Sequence, residues 1–197
     1  MSYDPAHRTG RLTRLTPTYY RGRAFVHWSM TLEGRSRGWL DAGFHARIRE
    51  LLCHSLGRYD LVCPAFCLMP DHGHFLWLGQ NERSDQRLAT ILFRKAWNAG
   101  LRLEGRELQR QAFEHVLTDR EREKGAVSAV AQYIFENPVR GRLVEEWKNY
   151  AFVGAVVPGY PDLDPRDEDF WERFRKIYAK RTEGESLTAS ATRPRTL

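Results

Sequence analysis

Phe66-Cys67-Leu68-Met69-Pro70-Asp71-His72-Gly73-His74-Phe75-Leu76-Trp77-Leu78 reads as an apolar run, a Pro-Asp turn and a second apolar run that opens with two histidines. So short a connection between two extended runs requires an antiparallel hairpin. Side chains alternate across a strand, so His72 and His74 share one face with Leu76 and Leu78, while Gly73, Phe75 and Trp77 line the other. The Cβ atoms of the two histidines then lie about 6–7 Å apart. That spacing lets two imidazoles converge on one metal ion or one phosphate. Paired histidines in a strand are also found as hydrogen-bonded core residues, and the H-x-H spacing alone leaves both readings open.

Working outward, residues 24–32 (AFVHWSMTL) are rich in aromatic and β-favouring side chains and predict a strand. Residues 33–38 form a basic, glycine-containing loop whose Arg35 and Arg37 suit a phosphate backbone. Asp41 caps a predicted helix to Leu56, with Phe44, Ile48, Leu51, Leu52 and Ser55 at helical spacing and Gly57 as its stop. His45 and His54 on this helix are assigned to the surface or to local hydrogen bonds. Residues 61–68 and 72–78 are the two strands of the hairpin. Ser84 or Asp85 caps a second helix to Leu103, with Leu88, Ile91, Leu92, Lys95, Ala96 and Ala99 as its stripe and Arg87, Arg94, Lys95 and Arg102 as a basic side.

Residues 109–117 predict a fourth strand, and the charged run 119–124 leads into a helix over 127–137. Pro138 stops that helix, because proline disfavours helical geometry in the residue before it. Residues 139–165 read as a loop with short extended pieces and 167–182 as an amphipathic helix with Phe170, Phe174 and Ile177 in its seam. The order is β-α-β-β-α-β: an α+β, ferredoxin-like antiparallel sheet with its third strand central, an added helix and a C-terminal helical extension. The expected organisation is a loosely ordered lead-in over 1–18, one domain over 19–160, an extension over 161–182 and a disordered tail over 183–197.

Composition narrows the partners. The 197 residues carry a net charge of +6, and the sequence pI is about 9.4, which favours a polyanion. The hydrophobic share of 42% is enough for a core. Three cysteines, an odd and low count, suit a reducing compartment, and the polar N-terminus lacks a secretory h-region. No run approaches the eighteen or so apolar residues of a membrane span. A cytoplasmic protein with no membrane partner is expected.

A second cluster lies in Ala131-Gln132-Tyr133-Ile134-Phe135-Glu136-Asn137-Pro138-Val139-Arg140. Tyr133 and Asn137 are one helical turn apart and share a face. An amide oxygen is a hard metal ligand, and a phenol is a nucleophile once its ionised form is supported, since free tyrosine ionises only near pH 10. A packing tyrosine and a helix-terminal asparagine before proline would look the same in sequence. Cys63, Cys67, His72 and His74 resemble a zinc cluster on paper. In one strand those cysteines lie about 13 Å apart, too far for one ion with ligands at about 2–2.3 Å.

Met69-Pro70-Asp71-His72-Gly73-His74 together with Tyr133 and Asn137 in YIFENPVRGRLV resembles the IS200-type single-tyrosine transposases, most of all the REP-associated branch. The resemblance runs from about Tyr19 to Pro161 and includes the stretch Gln111-Ala112-Phe113-Glu114-His115-Val116-Leu117. It implies a ferredoxin-like transposase and endonuclease with HUH chemistry, which cleaves and rejoins single-stranded DNA beside a folded hairpin through a 5′-phosphotyrosine link. Carried over residue by residue, Tyr133 is the nucleophile, and His72, His74 and Asn137 hold Mg²⁺ or Mn²⁺. Candidate DNA-backbone contacts are Arg35, Arg37, Arg94, Lys95, Arg140 and Arg142, the last two foremost because they follow the tyrosine helix. Glu114 and His115, with His27, are accessory candidates. Monomer and homodimer are both open. The alternatives are a non-catalytic hairpin-binding protein of the same fold and a replication or mobilisation nickase. The chain departs from the family at Gly73, where a bulky apolar residue is usual, and at Asp71, where many relatives carry asparagine.

Overall fold

The computed structural model describes residues 14–123 and 125–190, so the start of the expected lead-in and the end of the expected tail lie outside the described residues. Five strands, β1 (Phe25–Thr31), β2 (Leu61–Met69), β3 (His72–Gly79), β4 (Phe113–Val116) and β5 (Val153–Val156), form one sheet in the order β4-β1-β3-β2-β5. Every neighbouring pair is antiparallel. The first four strands, with α1 (Ala42–Arg58) after β1 and α2 (Gln86–Arg102) after β3, follow the ferredoxin-like plan, and the histidine strand is central.

The fifth strand is one of the short extended pieces expected within 139–165, and it joins the sheet. Val153-Gly154-Ala155-Val156 is too short and too uniform to signal a strand by itself. It becomes one by pairing along β2, with Val153 opposite Cys67 and Val156 opposite Cys63. Between Val62 and Ala65 the register of β2 slips by one residue against β3. That bulge sends Cys63 to one side of the sheet and Cys67 to the other. The two thiols therefore cannot share an ion.

Asp41 caps α1 by accepting the Phe44 N–H at 2.7 Å, as its spacing predicts. The helix continues through Gly57 to Arg58, so the glycine is not its stop. Asp85 caps α2 by accepting the N–H groups of Arg87 and Leu88, each at 3.0 Å. The buried face of α2 differs from the predicted stripe: Ala89, Phe93, Trp97 and Leu101 face inward, while Leu88 and Ile91 are 47% and 62% exposed. Two aromatics one turn apart remove more apolar area from water than the smaller side chains of the predicted stripe.

Helices α1 and α2 cover one side of the sheet, over Trp28, Phe66, Phe75 and Trp77, with Trp39, Phe93 and Trp97 in the same core. The other side carries Phe25, Ala65, Cys67, Leu76 and Leu78. It is covered by α4 (Ala126–Phe135), through Ile134 and Phe135, and by α6 (Phe170–Ser190), through Phe170 and Phe174. A short α3 (Asp119–Glu123) precedes α4, a one-turn α5 (Asn137–Arg140) follows it, and α6 continues past the expected end at residue 182. Among the described residues no helix is long and apolar enough to cross a membrane.

Candidate active site

On the α4 side of β3 the two predicted imidazoles meet. Nε2 of His72 and Nε2 of His74 are 3.0 Å apart. Each ring is held by its opposite edge. The His72 Nδ1–H donates to Asp71 Oδ1 at 2.6 Å, and the other carboxylate oxygen of Asp71 accepts from Arg35 Nη1 at 3.0 Å. His74 Nδ1 pairs with Nε2 of His27 at 3.1 Å. The result is a continuous line of polar contacts, Arg35–Asp71–His72–His74–His27, crossing from the β2–β3 turn to β1.

Burial sets the charge of this line. The His72 hydrogen bond, and then Arg35, hold the Asp71 carboxyl well below the usual carboxylate range, so it stays ionised and only accepts. Burial, with His115 beside it, pushes His27 down to about 4. Burial also lowers His74 well below the usual histidine range, assisted by His27, His72 and Arg140. His27 and His74 are thus neutral near pH 7, the form in which imidazole ligates a metal. Two nitrogens bound side by side in an octahedral shell at about 2.1 Å are about 3.0 Å apart. The observed Nε2 separation matches that geometry, and the engaged Nδ1 edges leave the Nε2 atoms as the donors. The residues present fit a divalent ion. Among the described residues no group of three or more His, Cys, Asp or Glu side chains could hold one, so the third protein donor would be an amide.

Tyr133 lies over the same spot. Its ring centroid is 6.0 Å from that of His74 and 5.9 Å from that of His27, edge-on to both. The guanidinium of Arg140 stacks above the phenol at 4.2 Å from the centroid and also donates to the Tyr133 carbonyl. Asn137 opens α5, so Tyr133 and Asn137 sit on successive helices rather than on one, and Pro138 starts a helix instead of ending one. Proline has no N–H for the Ile134 carbonyl one turn back. The Asn137 side-chain amide supplies it, donating to the carbonyls of Ile134 at 3.1 Å and Tyr133 at 3.0 Å. With its nitrogen committed to the backbone, the Asn137 amide oxygen is the atom that can act as a ligand. The end of α5 presses on the hairpin: a Cβ on Gly141 would come within 2.8 Å of Met69 Cε, and Met69 pairs with His72.

The remaining predicted residues divide by location. Arg140 at the end of α5 and Arg142 just past it are exposed, and Arg35, although paired with Asp71, keeps a side chain that is 57% exposed. Arg37 is exposed in the same loop as Arg35, where its carbonyl accepts from Arg106. Arg94 and Lys95 belong to α2, on the opposite side of the sheet from Tyr133. Arg94 is half-buried there and donates to the Gln109 carbonyl. Glu114 stands opposite Trp28 in the β1–β4 register, so it also faces the α2 side, where it accepts from the Tyr20 hydroxyl at 2.9 Å. His115 stands opposite His27 on the tyrosine side and pairs with Glu121 at 3.1 Å. His27 contributes more than its minor place in the sequence reading. The signal was the alternation Phe25, His27, Ser29 against Val26, Trp28, Met30, which puts His27 on the face that Leu76 and His74 share.

No family model matches the chain, and no curated protein matches it by sequence. Among solved structures it is similar to that of a REP-associated tyrosine transposase bound to a REP hairpin, with a TM-score of 0.59, 18% identity, and coverage of 74% of this chain and 82% of that one. The two share a fold.

Proposed function

We propose that this chain is a single-tyrosine transposase of the REP-associated type, a metal-dependent enzyme that cuts and rejoins single-stranded DNA beside a hairpin. One observation carries the reading: Tyr133 rests against His74, on the face where two Nε2 atoms stand at the separation expected of ligands to one ion. The shared fold with a hairpin-bound transposase and the net charge of +6 support a DNA partner.

The chemistry follows from the side chains. His72, His74 and Asn137 would hold Mg²⁺ or Mn²⁺, which would polarise a phosphate oxygen and offset charge developing during displacement. All three donors are neutral, so the phosphate meets a charge that no protein ligand cancels. Arg140, stacked on the phenol, fixes its approach and adds positive charge beside the reacting phosphate. The Tyr133 oxygen forms a bond to phosphorus as the bond from phosphorus to the 3′ oxygen breaks. The phenol loses one proton and the leaving 3′ oxygen gains one. The resulting 5′-phosphotyrosine keeps the energy of the cut bond, so a second 3′ hydroxyl can reverse the step at a new position without ATP. Arg35, Arg37 and Arg142, all exposed, would meet the strand's backbone, an interaction that weakens as salt rises.

Incubation with labelled single-stranded hairpin DNA and Mn²⁺, resolved on a denaturing gel, tests this. Wild type is expected to give a covalent protein–DNA band that EDTA abolishes. Tyr133→Phe should give none while melting within about 0.5 kcal/mol of wild type, because the change removes only the hydroxyl of a half-buried side chain. An equal adduct from Tyr133→Phe would overturn the nucleophile, and an EDTA-resistant adduct would overturn the part given to His72, His74 and Asn137.

A further inference from the structure

We infer that His27 is a positioning residue for His74, and that by contacting Nδ1 it supports either ring tautomer, so that the His74 hydrogen can pass from Nε2 to Nδ1 when an ion binds. This rests on the reading of His72 and His74 as ligands. The two histidines of the pair are backed differently. His72 has the Asp71 carboxylate, which can only accept and so keeps the hydrogen on Nδ1. His74 has no acidic partner at Nδ1; it has a second imidazole, His27, only 5% exposed and 3.1 Å away. A neutral imidazole offers one donor and one acceptor, so His27 can serve His74 in either sense.

Both senses have a use. With no ion bound, the His27 Nε2–H donates to His74 Nδ1 and the His74 Nε2–H donates to His72 Nε2, so every ring nitrogen from His27 Nε2 to His72 is satisfied. With an ion on the Nε2 atoms, His74 must carry its hydrogen on Nδ1 and donate it to His27 Nε2, whose own hydrogen then sits on Nδ1. Each ring holds one ring hydrogen before and after, so the buried line keeps its net charge. A carboxylate in place of His27 would add a second negative charge to the line, at the end away from Asp71, and favour only the second arrangement. An apolar residue would support neither. The antiparallel β1–β3 pairing fixes the position, with Ser29 opposite His74 and His27 two residues along the same face.

Two measurements on the full chain without DNA test this. In wild type, imidazole nitrogen NMR shifts should place the His74 hydrogen on Nε2 without metal and on Nδ1 with saturating Mg²⁺. Mn²⁺ affinity, from the signal of unbound Mn²⁺ in electron paramagnetic resonance, should fall about 10–100-fold in His27→Phe and recover most of that in His27→Asn, whose amide again offers a donor and an acceptor. The inference is overturned if His74 keeps its hydrogen on Nε2 in saturating Mg²⁺, if wild type takes up no Mn²⁺, or if a folded His27→Phe binds within about twofold of wild type. Should His27→Phe fail to fold, the wild-type spectra and His27→Asn still decide. The cleavage reading is judged apart from this: wild type that shows the expected tautomer and Mn²⁺ uptake yet forms no DNA adduct overturns the cleavage and leaves the part given to His27 standing.

Discussion

The two faces of β3 are built to opposite rules although their residues alternate one by one. On the α1–α2 side, Phe75 and Trp77 lock into Phe93 and Trp97 with ring centroids 5.4–5.8 Å apart. Its polar groups include Gln86, which accepts from the Trp28 indole at 3.1 Å and donates to the Ala24 and Trp77 carbonyls. On the α4 side, the same strand offers His72 and His74, and packing yields to a line of polar contacts with the Tyr133 ring lying edge-on over it. The comparison shows a division of labour. The aromatic side makes the central strand rigid, and a rigid strand holds two Nε2 atoms at a fixed separation without help from a loop.

Three changes test that contrast. Trp97→Ala removes a fully buried indole from the aromatic side and should cost about 3–5 kcal/mol, read by urea denaturation. At a temperature where the variant stays folded, its DNA adduct should form as in wild type, because no part of the tyrosine face has moved. Acid acts on the other face, and also on His45 of α1, which burial likewise pushes down to about 4. His27 is held near 4 when folded and has the ordinary histidine value when unfolded, so below pH about 6.5 the unfolded chain binds more protons. Stability should therefore fall by about 1.4 kcal/mol per pH unit for this group between pH 6.5 and 4. His74, lowered in the same direction, adds to the loss. Asp71 adds its own below about pH 4, where the unfolded chain's carboxyl takes up a proton that the folded carboxylate still refuses. Melts across pH check this: Trp97→Ala should shift the whole curve in parallel, and His27→Phe should flatten its acid slope.

The smallest expected effect lies where the faces share a residue. A Cβ on Gly73 would sit 2.9 Å from the Phe75 ring and 3.1 Å from Trp97, so these two rings already occupy the space a larger side chain would take. Gly73→Leu should cost about 1–3 kcal/mol by overpacking, and less in a Phe75→Ala background, where the displaced ring is gone. Equal costs in the two backgrounds, measured by denaturant titration, would mean that Phe75 does not fill the gap.

Much of this was legible in the sequence because it is local. The hairpin follows from two short runs and a Pro-Asp turn, and His72 and His74 share a face because strand period is fixed. Asp41 and Asp85 announce two helices by capping alone. The misreadings share a cause. The stripe on α2 was set by counting apolar positions, but Phe93 and Trp97 decide which face is buried. Glu114 and His115 are neighbours in sequence and lie on opposite sides of the sheet, and only the register of β4 against β1 says which joins the histidines. β5 has no pattern of its own and exists because β2 offers an edge.

The order of the amino acids alone fixes the strand that carries the imidazoles and the turn that puts a carboxylate beside the first of them. These follow from rules that act over a few residues. Only the tertiary structure decided that Tyr133 comes to rest against His74, that Arg35 reaches Asp71, and that His27 stands behind the second imidazole. Each of those contacts joins separate elements, and long-range contacts are selected by the burial of a whole core and the register of a whole sheet, which no local stretch of sequence specifies.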